Sequence, residues 1–344
     1  MRAARLAAGV VALTLFSAPS AHACTTFCFA DALVFGKNYD WGISNGLVLV
    51  NKRGVEKRAF VEQNPFAWTS RFGSVTFNQY GREFPCGGIN EKGLVVELMW
   101  LDDSEYPAPD ARGALPTLQW IQYQLDTAAD VAQVIASDAV VRITGAHAKI
   151  HFLVADAGGE TAAIEFLAGK MVAQRGARAL TNDTYQRSAA YARTFNDVTR
   201  ELSHSSLDRF AIAAARVAGG PGAETAPVTA AFDLLARVAQ GEYTQWSIVY
   251  DIGGRRVHFR TQANPIARSI DIAKLDFACA TPVRMIDVNT PLTGDATARL
   301  TDYSEDANRV LVRASFAGTD FLRALPPETA DAQARFPAST RCAR

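Results

Sequence analysis

The sequence predicts an α+β protein in which strands form two stacked sheets and helices cover their outer faces. Three observations support this class. Short β-branched and aromatic runs crowd the chain between residues 25 and 101, apolar residues recur at helical spacing after residues 116 and 182, and strand-like runs return after each helical part. Because no internal repeat, low-complexity tract or linker divides the chain, we expect one domain over residues 24–344.

The first part of the chain predicts six strands broken by Gly, Asn or Pro. They are TTFCFA (25–30), ALVFGKNYD (32–40), GLVLVNKR (46–53), GSVTFNQY (73–80), EFPCGGIN (83–90) and LVVELMWL (94–101). The apolar period then changes to that of a helix, which predicts two helices between residues 116 and 137.

Strands and helices alternate in blocks over the rest of the chain. Strands are predicted at 148–157, 160–168 and 170–175, helices at 185–198, 206–218 and 229–239, and strands again at 244–252 and 255–262. Gly253 and Gly254 predict a hairpin between the last two strands. RVLVRASF (309–316) predicts one more strand in a tail that is otherwise hard to interpret.

Residues 1–23 have the pattern of a secretory signal peptide. Two arginines precede an apolar run from Leu6 to Phe16, and small residues end at Ala23. The run is too short to span a bilayer as a stable helix. We therefore expect a peptidase to cut after Ala23, so that the folded chain begins at Cys24 and works in the periplasm or outside the cell.

An exported chain that begins at Cys24 has three explanations. A bacterial lipoprotein would carry a lipid on this cysteine, but Ala21 stands where that signal prefers a bulky aliphatic residue. A catalytic N-terminal cysteine would combine a thiol nucleophile with an α-amine base on one residue. Otherwise the cut falls elsewhere, and Cys24 is a small residue near the start of a strand.

Composition narrows the classes of partner. Lys plus Arg equals Asp plus Glu at 35 each, which points away from nucleic acid and from anionic membranes. No later apolar run reaches membrane length, and the cysteines and histidines lack the spacing of a metal site. We expect a small-molecule substrate and neither a metal nor an organic cofactor.

Five cysteines leave at least one thiol unpaired or bonded elsewhere in an oxidising compartment. Cys279 and Cys342 could bridge the C-terminal part, but the sequence does not fix the pairing of Cys28, Cys86, Cys279 and Cys342. The four histidines after the signal segment have no partnered serine and are predicted to be structural.

The motif GKNYDW (36–41) gives Cys24 candidate partners. A hairpin would return Lys37 and Asp40 to the start of the first strand, which would set a cation near the thiol and a carboxylate near the α-amine. Since a free thiol and an α-amine titrate at about 8.5 and about 7.7 to 8.0, modest tuning would suffice for catalysis near neutral pH.

Five motifs in order carry a resemblance to a known family. CTTF (24–27), GKNYDW, GINEKGL (88–94), LTNDTY (180–185) and LDRF (207–210) are similar in order and spacing to the choloylglycine hydrolase family of N-terminal nucleophile hydrolases. That family includes bile salt hydrolases, penicillin V acylases and related N-acyl amide hydrolases. The resemblance implies the four-layer αββα sandwich of that superfamily.

The resemblance also implies roles for single residues. Cys24 would be the nucleophile and Asp40 the carboxylate that holds its α-amine. Asn90 and Asn182 would form the oxyanion hole, one chiefly through its backbone N–H and the other through its side-chain amide. Arg209 would support the site with its charge.

Lys37 departs from the family pattern, which commonly has arginine there. Its charge would remain, but the bidentate fork of an arginine would not. Trp41, Trp100 and Phe84 flank the motifs and are expected either in the core or on the wall of an acyl pocket.

We interpret the chain as an exported cysteine hydrolase of linear non-peptide amides, such as penicillin V or acyl homoserine lactones. A conjugated bile salt hydrolase of the same mechanism and a lipidated ligand-binding lipoprotein are the alternatives. By the same resemblance the protein would be a homo-oligomer, a tetramer.

Overall fold

Two large sheets face each other in the computed structural model, which describes residues 24–145, 148–195 and 205–344. The predicted signal segment, residues 1–23, lies outside the described residues. The two sheets have seven and nine strands, and two smaller sheets lie beside them.

The described strands are numbered here in chain order. They are β1 Thr25–Phe29, β2 Val34–Asp40, β3 Leu47–Asn51, β4 Val55–Arg58, β5 Ala67–Thr69, β6 Ser74–Asn78, β7 Gly87–Asn90, β8 Val95–Trp100, β9 Gly113–Pro116, β10 Val141–Thr144, β11 Ile150–Ala155, β12 Thr161–Leu167, β13 Lys170–Arg175, β14 Ala179–Leu180, β15 Thr244–Asp251, β16 Arg256–Thr261, β17 Arg268–Asp271, β18 Arg284–Asp287, β19 Gly294–Asp295, β20 Thr301–Asp302 and β21 Arg341–Cys342. The described α-helices are α1 Thr117–Thr127, α2 Val131–Ala136, α3 Tyr185–Thr194, α4 Ser206–Ala218, α5 Pro227–Arg237, α6 Glu305–Gly318, α7 Asp320–Arg323 and α8 Pro327–Arg335.

The layers follow the order helix, sheet, sheet, helix. The seven-stranded sheet runs β14-β1-β2-β15-β16-β17-β19 and the nine-stranded sheet runs β13-β12-β11-β8-β7-β6-β3-β18-β20. Neighbouring strands are antiparallel except for the edge pair β17 and β19. Helices α4 and α5 cover the seven-stranded sheet, and α1 and α2 cover the nine-stranded one. The predicted sandwich of stacked antiparallel sheets is confirmed.

Alternation along β1 explains why this strand is buried on both faces. Phe27 and Phe29 pack toward Phe210 on α4 and Leu234 on α5, whereas Cys28 belongs to the core between the sheets. Because successive side chains point to opposite faces, Cys24 shares the inner face with Cys28. The nucleophile candidate therefore lies in the space between the two sheets.

The predicted strand at residues 309–316 is wrong, because this segment lies in helix α6. Ser304 caps the helix by accepting a hydrogen bond from the backbone N–H of Ala307. Leu311 and Val312 are buried together, while Val310 is 67% exposed. Adjacent buried residues beside an exposed one fit the helical period and break the alternation of a strand.

A disulfide between Cys279 and Cys342 spans 63 residues of sequence and ties β21 to the body of the fold. The other three cysteines, Cys24, Cys28 and Cys86, are free and buried. Among the described helices, none is long and apolar enough to cross a bilayer.

Candidate active site

The hairpin of β1 and β2 sets Cys24 beside Lys37, as the sequence predicts. In its register Thr26 lies opposite Lys37, so Lys37 is on the same inner face as Cys24. Both residues are buried, with Cys24 2% exposed and Lys37 fully enclosed. The arrangement puts an ammonium next to the thiol in a space that excludes bulk water.

Asn182 and Arg209 hold the main chain of Cys24. The Cys24 nitrogen donates to Asn182 Oδ1 at 2.8 Å, and Arg209 Nη1 donates to the Cys24 carbonyl oxygen at 2.7 Å. Arg209 Nη2 also donates to Asn182 Oδ1 at 2.9 Å. Arg209 is 1% exposed, which rules out a solvated helix residue. The two side chains thus fix the position of Cys24 from both of its peptide groups.

The start of helix α4 brings Asn182 and Arg209 together. Ser206, the first residue of α4, accepts a hydrogen bond from the Asn182 backbone N–H at 2.8 Å and donates to Thr181 Oγ1 at 2.9 Å. Ser205 caps the helix, and Arg209 lies one turn further on. The motifs LTNDTY and LDRF therefore meet in space through these hydrogen bonds.

The Asp40 carboxylate is held by two residues that are distant from it in the sequence. Thr244 Oγ1 donates to Asp40 Oδ1 at 2.5 Å and Gln240 Nε2 donates to Oδ2 at 2.9 Å. The Cys24 nitrogen, still a peptide nitrogen after Ala23, donates to Asn182. The Cys24 thiol donates to the backbone carbonyl oxygen of Asp40, which lies 4.0 Å from Sγ. That the carboxylate holds the α-amine of a cut chain stays a prediction.

Asn90 lies away from the other predicted site residues, which corrects its assignment to the oxyanion hole. Its backbone N–H donates to the Leu94 carbonyl oxygen at 2.9 Å, and its side-chain amide donates to the carbonyl oxygens of Leu125 and Ala128. Leu94 precedes β8, whereas Trp100, whose carbonyl oxygen accepts from Asn182 Nδ2, ends that strand. The two ends of β8 are about 17 Å apart. Asn90 instead secures a turn and the end of helix α1, a common structural role of asparagine.

Burial dominates the electrostatics of the site. It raises the pKa of the Cys24 thiol, and the Lys37 charge opposes this only in part. Burial likewise raises the pKa of Asp40, against the lowering effect of the Arg209 charge. The cation expected near the thiol is present, but burial keeps the pKa of the thiol raised. A protonated thiol needs a nearby base before it can attack.

Glu97 is a second buried carboxyl in this region that the sequence analysis missed. Its Oε2 lies 3.9 Å from Lys37 Nζ, and Tyr250 donates a hydrogen bond to Oε1. Burial raises the pKa of Glu97 to about 7, although Lys37 and Tyr250 favour its charged form. Lys37 therefore has a carboxyl partner on the opposite sheet.

An apolar cavity of about 180 Å³ opens at Cys24. Trp41, Trp100 and Phe84 line it, which matches the pocket alternative for these aromatics. The rings of Trp41 and Trp100 are 6.1 Å apart, and Phe321 on α7 lies 5.8 Å from Trp100. The C-terminal helices thus complete the wall of a cavity whose floor is set by the N-terminal hairpin.

The described histidines belong to the fold. His151 is fully buried between Glu165, 3.2 Å from Nδ1, and the carbonyl oxygen of Thr181, 2.7 Å from Nε2. His258 lies on β16, and His147 and His204 are outside the described residues. Within the described ranges, no group of three or more His, Cys, Asp or Glu side chains is arranged to hold a metal ion.

Several partners of the site could not have been found by motif. Gln240 and Thr244 come from a part of the chain 200 residues or more from Asp40. Trp100 contributes a backbone carbonyl, for which side-chain patterns give no signal. Glu97 gave one signal, a lone carboxylate inside the apolar run LVVELMWL.

Comparison with known proteins adds to this geometry. Residues 24–234 match the profile described as linear amide C-N hydrolases, choloylglycine hydrolase family. A penicillin V acylase of Pectobacterium atrosepticum is 31% identical over 188 residues, which cover 48% of this chain and 50% of that protein. The chain thus spans about half the length of the curated relative it matches.

Solved structures with the same fold extend over more of the chain. The penicillin V acylase of Agrobacterium tumefaciens has a TM-score of 0.72 at 24% identity and covers 82% of this chain and 98% of its own. A variant of the conjugated bile acid hydrolase of Clostridium perfringens has a TM-score of 0.65 at 14% identity and covers 79% of this chain and 98% of its own. At these identities the likeness concerns the fold.

Proposed function

Since the chain belongs to the choloylglycine hydrolase family of linear amide C-N hydrolases, we propose that it is an exported N-terminal cysteine hydrolase that cleaves linear N-acyl amides through a thioester on Cys24. The observation that carries the proposal is the position of Cys24. Its main chain is fixed by Asn182 and Arg209, and its side chain meets an apolar cavity. The same cysteine directly follows the predicted cleavage site.

Maturation would create the catalytic base. Cleavage after Ala23 converts the Cys24 nitrogen from an amide, which is not basic, into an α-amine that titrates at about 7.7 to 8.0. The amine would keep its hydrogen bond to Asn182 Oδ1 and gain N–H groups for which the buried Asp40 carboxylate is a candidate acceptor. The uncut precursor is therefore expected to be inactive, and the mature enzyme to work in the periplasm or outside the cell.

The proposed reaction has two halves. The α-amine takes the thiol proton as Sγ bonds to the acyl carbon, and the carbonyl oxygen becomes an oxyanion. Asn182 Nδ2 donates one hydrogen to Trp100 and has a second for that oxyanion. The C–N bond then breaks as the α-ammonium returns the proton to the leaving amine. Water attacks the thioester, the C–S bond breaks, and a carboxylic acid leaves with the thiol restored.

The apolar cavity supports the proposal that the acyl group of the substrate is aromatic or lipid-like. Its walls are mostly aromatic and aliphatic side chains, with few polar atoms. Such walls favour an acyl chain by burial of apolar surface and offer little to a charged one. Penicillin V and acyl homoserine lactones carry acyl groups of this kind, and two of the similar proteins are penicillin V acylases. Bile salt conjugates are the alternative substrates of the same site.

A substrate panel tests the proposal. Purified mature enzyme should hydrolyse penicillin V, an acyl homoserine lactone or both, with glycine and taurine bile conjugates included for the alternative. Cys24→Ser should remain folded by circular dichroism and lose most of this turnover, because it removes the thiol nucleophile. Undiminished hydrolysis by Cys24→Ser would exclude Cys24 from the mechanism, whereas a diacylglyceryl adduct on Cys24 would support the lipoprotein alternative.

The homo-tetramer remains a prediction, which size-exclusion chromatography with light scattering would test.

A further inference from the structure

Lys37 and Glu97 form a buried ion pair across the two sheets. Lys37 lies on β2 of the seven-stranded sheet and Glu97 on β8 of the nine-stranded sheet, with Nζ and Oε2 3.9 Å apart. Their side chains are 0% and 2% exposed. Lys37 also donates to the carbonyl oxygen of Leu98. Charges so deeply buried are costly, so the charged form of each member is favoured by the charge of the other.

The surroundings of Glu97 are shaped for a carboxylate. Tyr250 on β15 donates its hydroxyl to Oε1. Gly87 lies opposite Glu97 in the register of β7 and β8, and a Cβ there would come within 2.2 Å of the carboxyl group. A glycine at position 87 therefore leaves the space that the carboxyl group occupies.

Among the described residues, Glu97 is the carboxyl group that pairs with Lys37 outside the proposed catalytic set. Cys86 and Tyr250 face Glu97, and neither is an anion near neutral pH because burial raises the pKa of both groups. Cys24, Asp40 and Tyr39 face Lys37. Within the described part of the chain, Lys37 is the only cation in an ion pair with Glu97.

A lysine in this position depends on its partner in a way that an arginine would not. A buried ammonium without an anionic neighbour favours the neutral amine, whereas a guanidinium keeps its proton in proteins. If Lys37 lost its charge, the Cys24 thiol would lose the cation that favours its thiolate form. The carboxyl group would thus act on the nucleophile through Lys37.

We infer that Glu97 is a positioning residue whose carboxylate keeps Lys37 charged beside the Cys24 thiol, and so sets the pH range in which that thiol reacts. This inference rests on the proposed function only in taking Cys24 as the nucleophile. Glu97 itself does not touch the reacting atoms.

The test measures the rate of Cys24 alkylation by iodoacetamide as a function of pH, without any substrate. Tandem mass spectrometry separates Cys24 from Cys28 and Cys86. Glu97→Gln keeps the shape and hydrogen-bonding capacity of the side chain but removes its charge. We expect its alkylation midpoint to move up by about one pH unit, the size of a lost neighbouring charge, toward that of Lys37→Gln.

A double-mutant cycle decides whether Glu97 acts through Lys37. The variant Lys37→Gln with Glu97→Gln should have the midpoint of Lys37→Gln alone, and Lys37→Arg with Glu97→Gln should return to the wild-type midpoint. Glu83→Gln is the matched control, since Glu83 is a buried partner of another lysine, Lys57, at 2.6 Å. It should leave the midpoint unchanged.

Three results would overturn the inference: a wild-type midpoint in Glu97→Gln, a downward shift in that variant, or additive shifts in the double glutamine variant. If the arginine variant does not fold, the glutamine cycle still decides. Because alkylation needs no substrate, failure of the proposed function would appear separately, as retained hydrolysis by Cys24→Ser.

Discussion

Arg209 and Asn182 together connect three parts of the site at the scale of single residues. Arg209 bonds both to the Cys24 carbonyl oxygen and to Asn182 Oδ1, and Asn182 bonds to Trp100. A buried guanidinium satisfied in this way is costly to disturb, because truncation would leave several acceptors without donors. The position of Cys24 therefore depends on residues that are 158 and 185 positions away from it.

The two asparagines named by the sequence motifs should differ in what their loss affects. Asn182→Ala removes the proposed oxyanion donor and should lower kcat by about 10²- to 10³-fold with little change in KM. Asn90→Ala removes the hydrogen bonds to Leu125 and Ala128. It should lower the free energy of unfolding by about 1 to 3 kcal/mol and leave kcat within a few fold.

Steady-state kinetics and urea denaturation of both variants check this contrast. A large loss of kcat in a stably folded Asn90→Ala would restore Asn90 to the active site. An unchanged kcat in Asn182→Ala would remove its amide from the mechanism.

At the scale of elements, the site is built where ends of strands and helices meet. Cys24 precedes β1, Asp40 ends β2, Trp100 ends β8, and Arg209 lies in the first turns of α4. The strands fix the faces on which the side chains lie, and the helix end adds the cation. The C-terminal helices α6 and α7 close the cavity through Phe316 and Phe321.

The helical state of residues 305–318 makes a sharp prediction for Val310 and Val312. In a strand both side chains would lie on one face, whereas in α6 Val310 is 67% exposed and Val312 is fully buried. Val310→Glu should change the free energy of unfolding by no more than about 0.5 kcal/mol. Val312→Glu should cost more than about 3 kcal/mol, because it buries a charge without a partner. Thermal and urea denaturation would measure both, and equal losses would contradict the helix.

The sequence predicted the local elements around Cys24 well, since the β1 and β2 hairpin depends on neighbouring residues and on strong alternation. It could not predict that Gln240 and Thr244 hold Asp40, because a hydrogen bond across 200 residues leaves no local pattern. The GINEKGL motif led to the wrong prediction that Asn90 belongs to the oxyanion hole, for a related reason. Asn90 is fixed by backbone partners in its own turn and in α1, and a motif does not distinguish such a role from catalysis.

At the scale of the whole molecule, the two sheets enclose a site that the chain assembles from its beginning, middle and end. The match to the family covers residues 24–234, whereas α6 and α7, which help to wall the cavity, come after it. The matched part therefore contains Cys24, Asn182 and Arg209, whereas the later helices contribute Phe316 and Phe321 to the cavity wall. Substrate choice does not follow from the fold alone.

The central claim is that cleavage before Cys24 makes the enzyme, and intact mass spectrometry of the active protein, with its specific activity measured on the same sample, tests it most directly. We predict that activity follows the fraction of molecules that begin at Cys24 with an unmodified α-amine. The precursor that retains Ala23 should have no measurable hydrolysis. Full activity in molecules that still carry residue 23, or whose α-amine is blocked, would contradict the account.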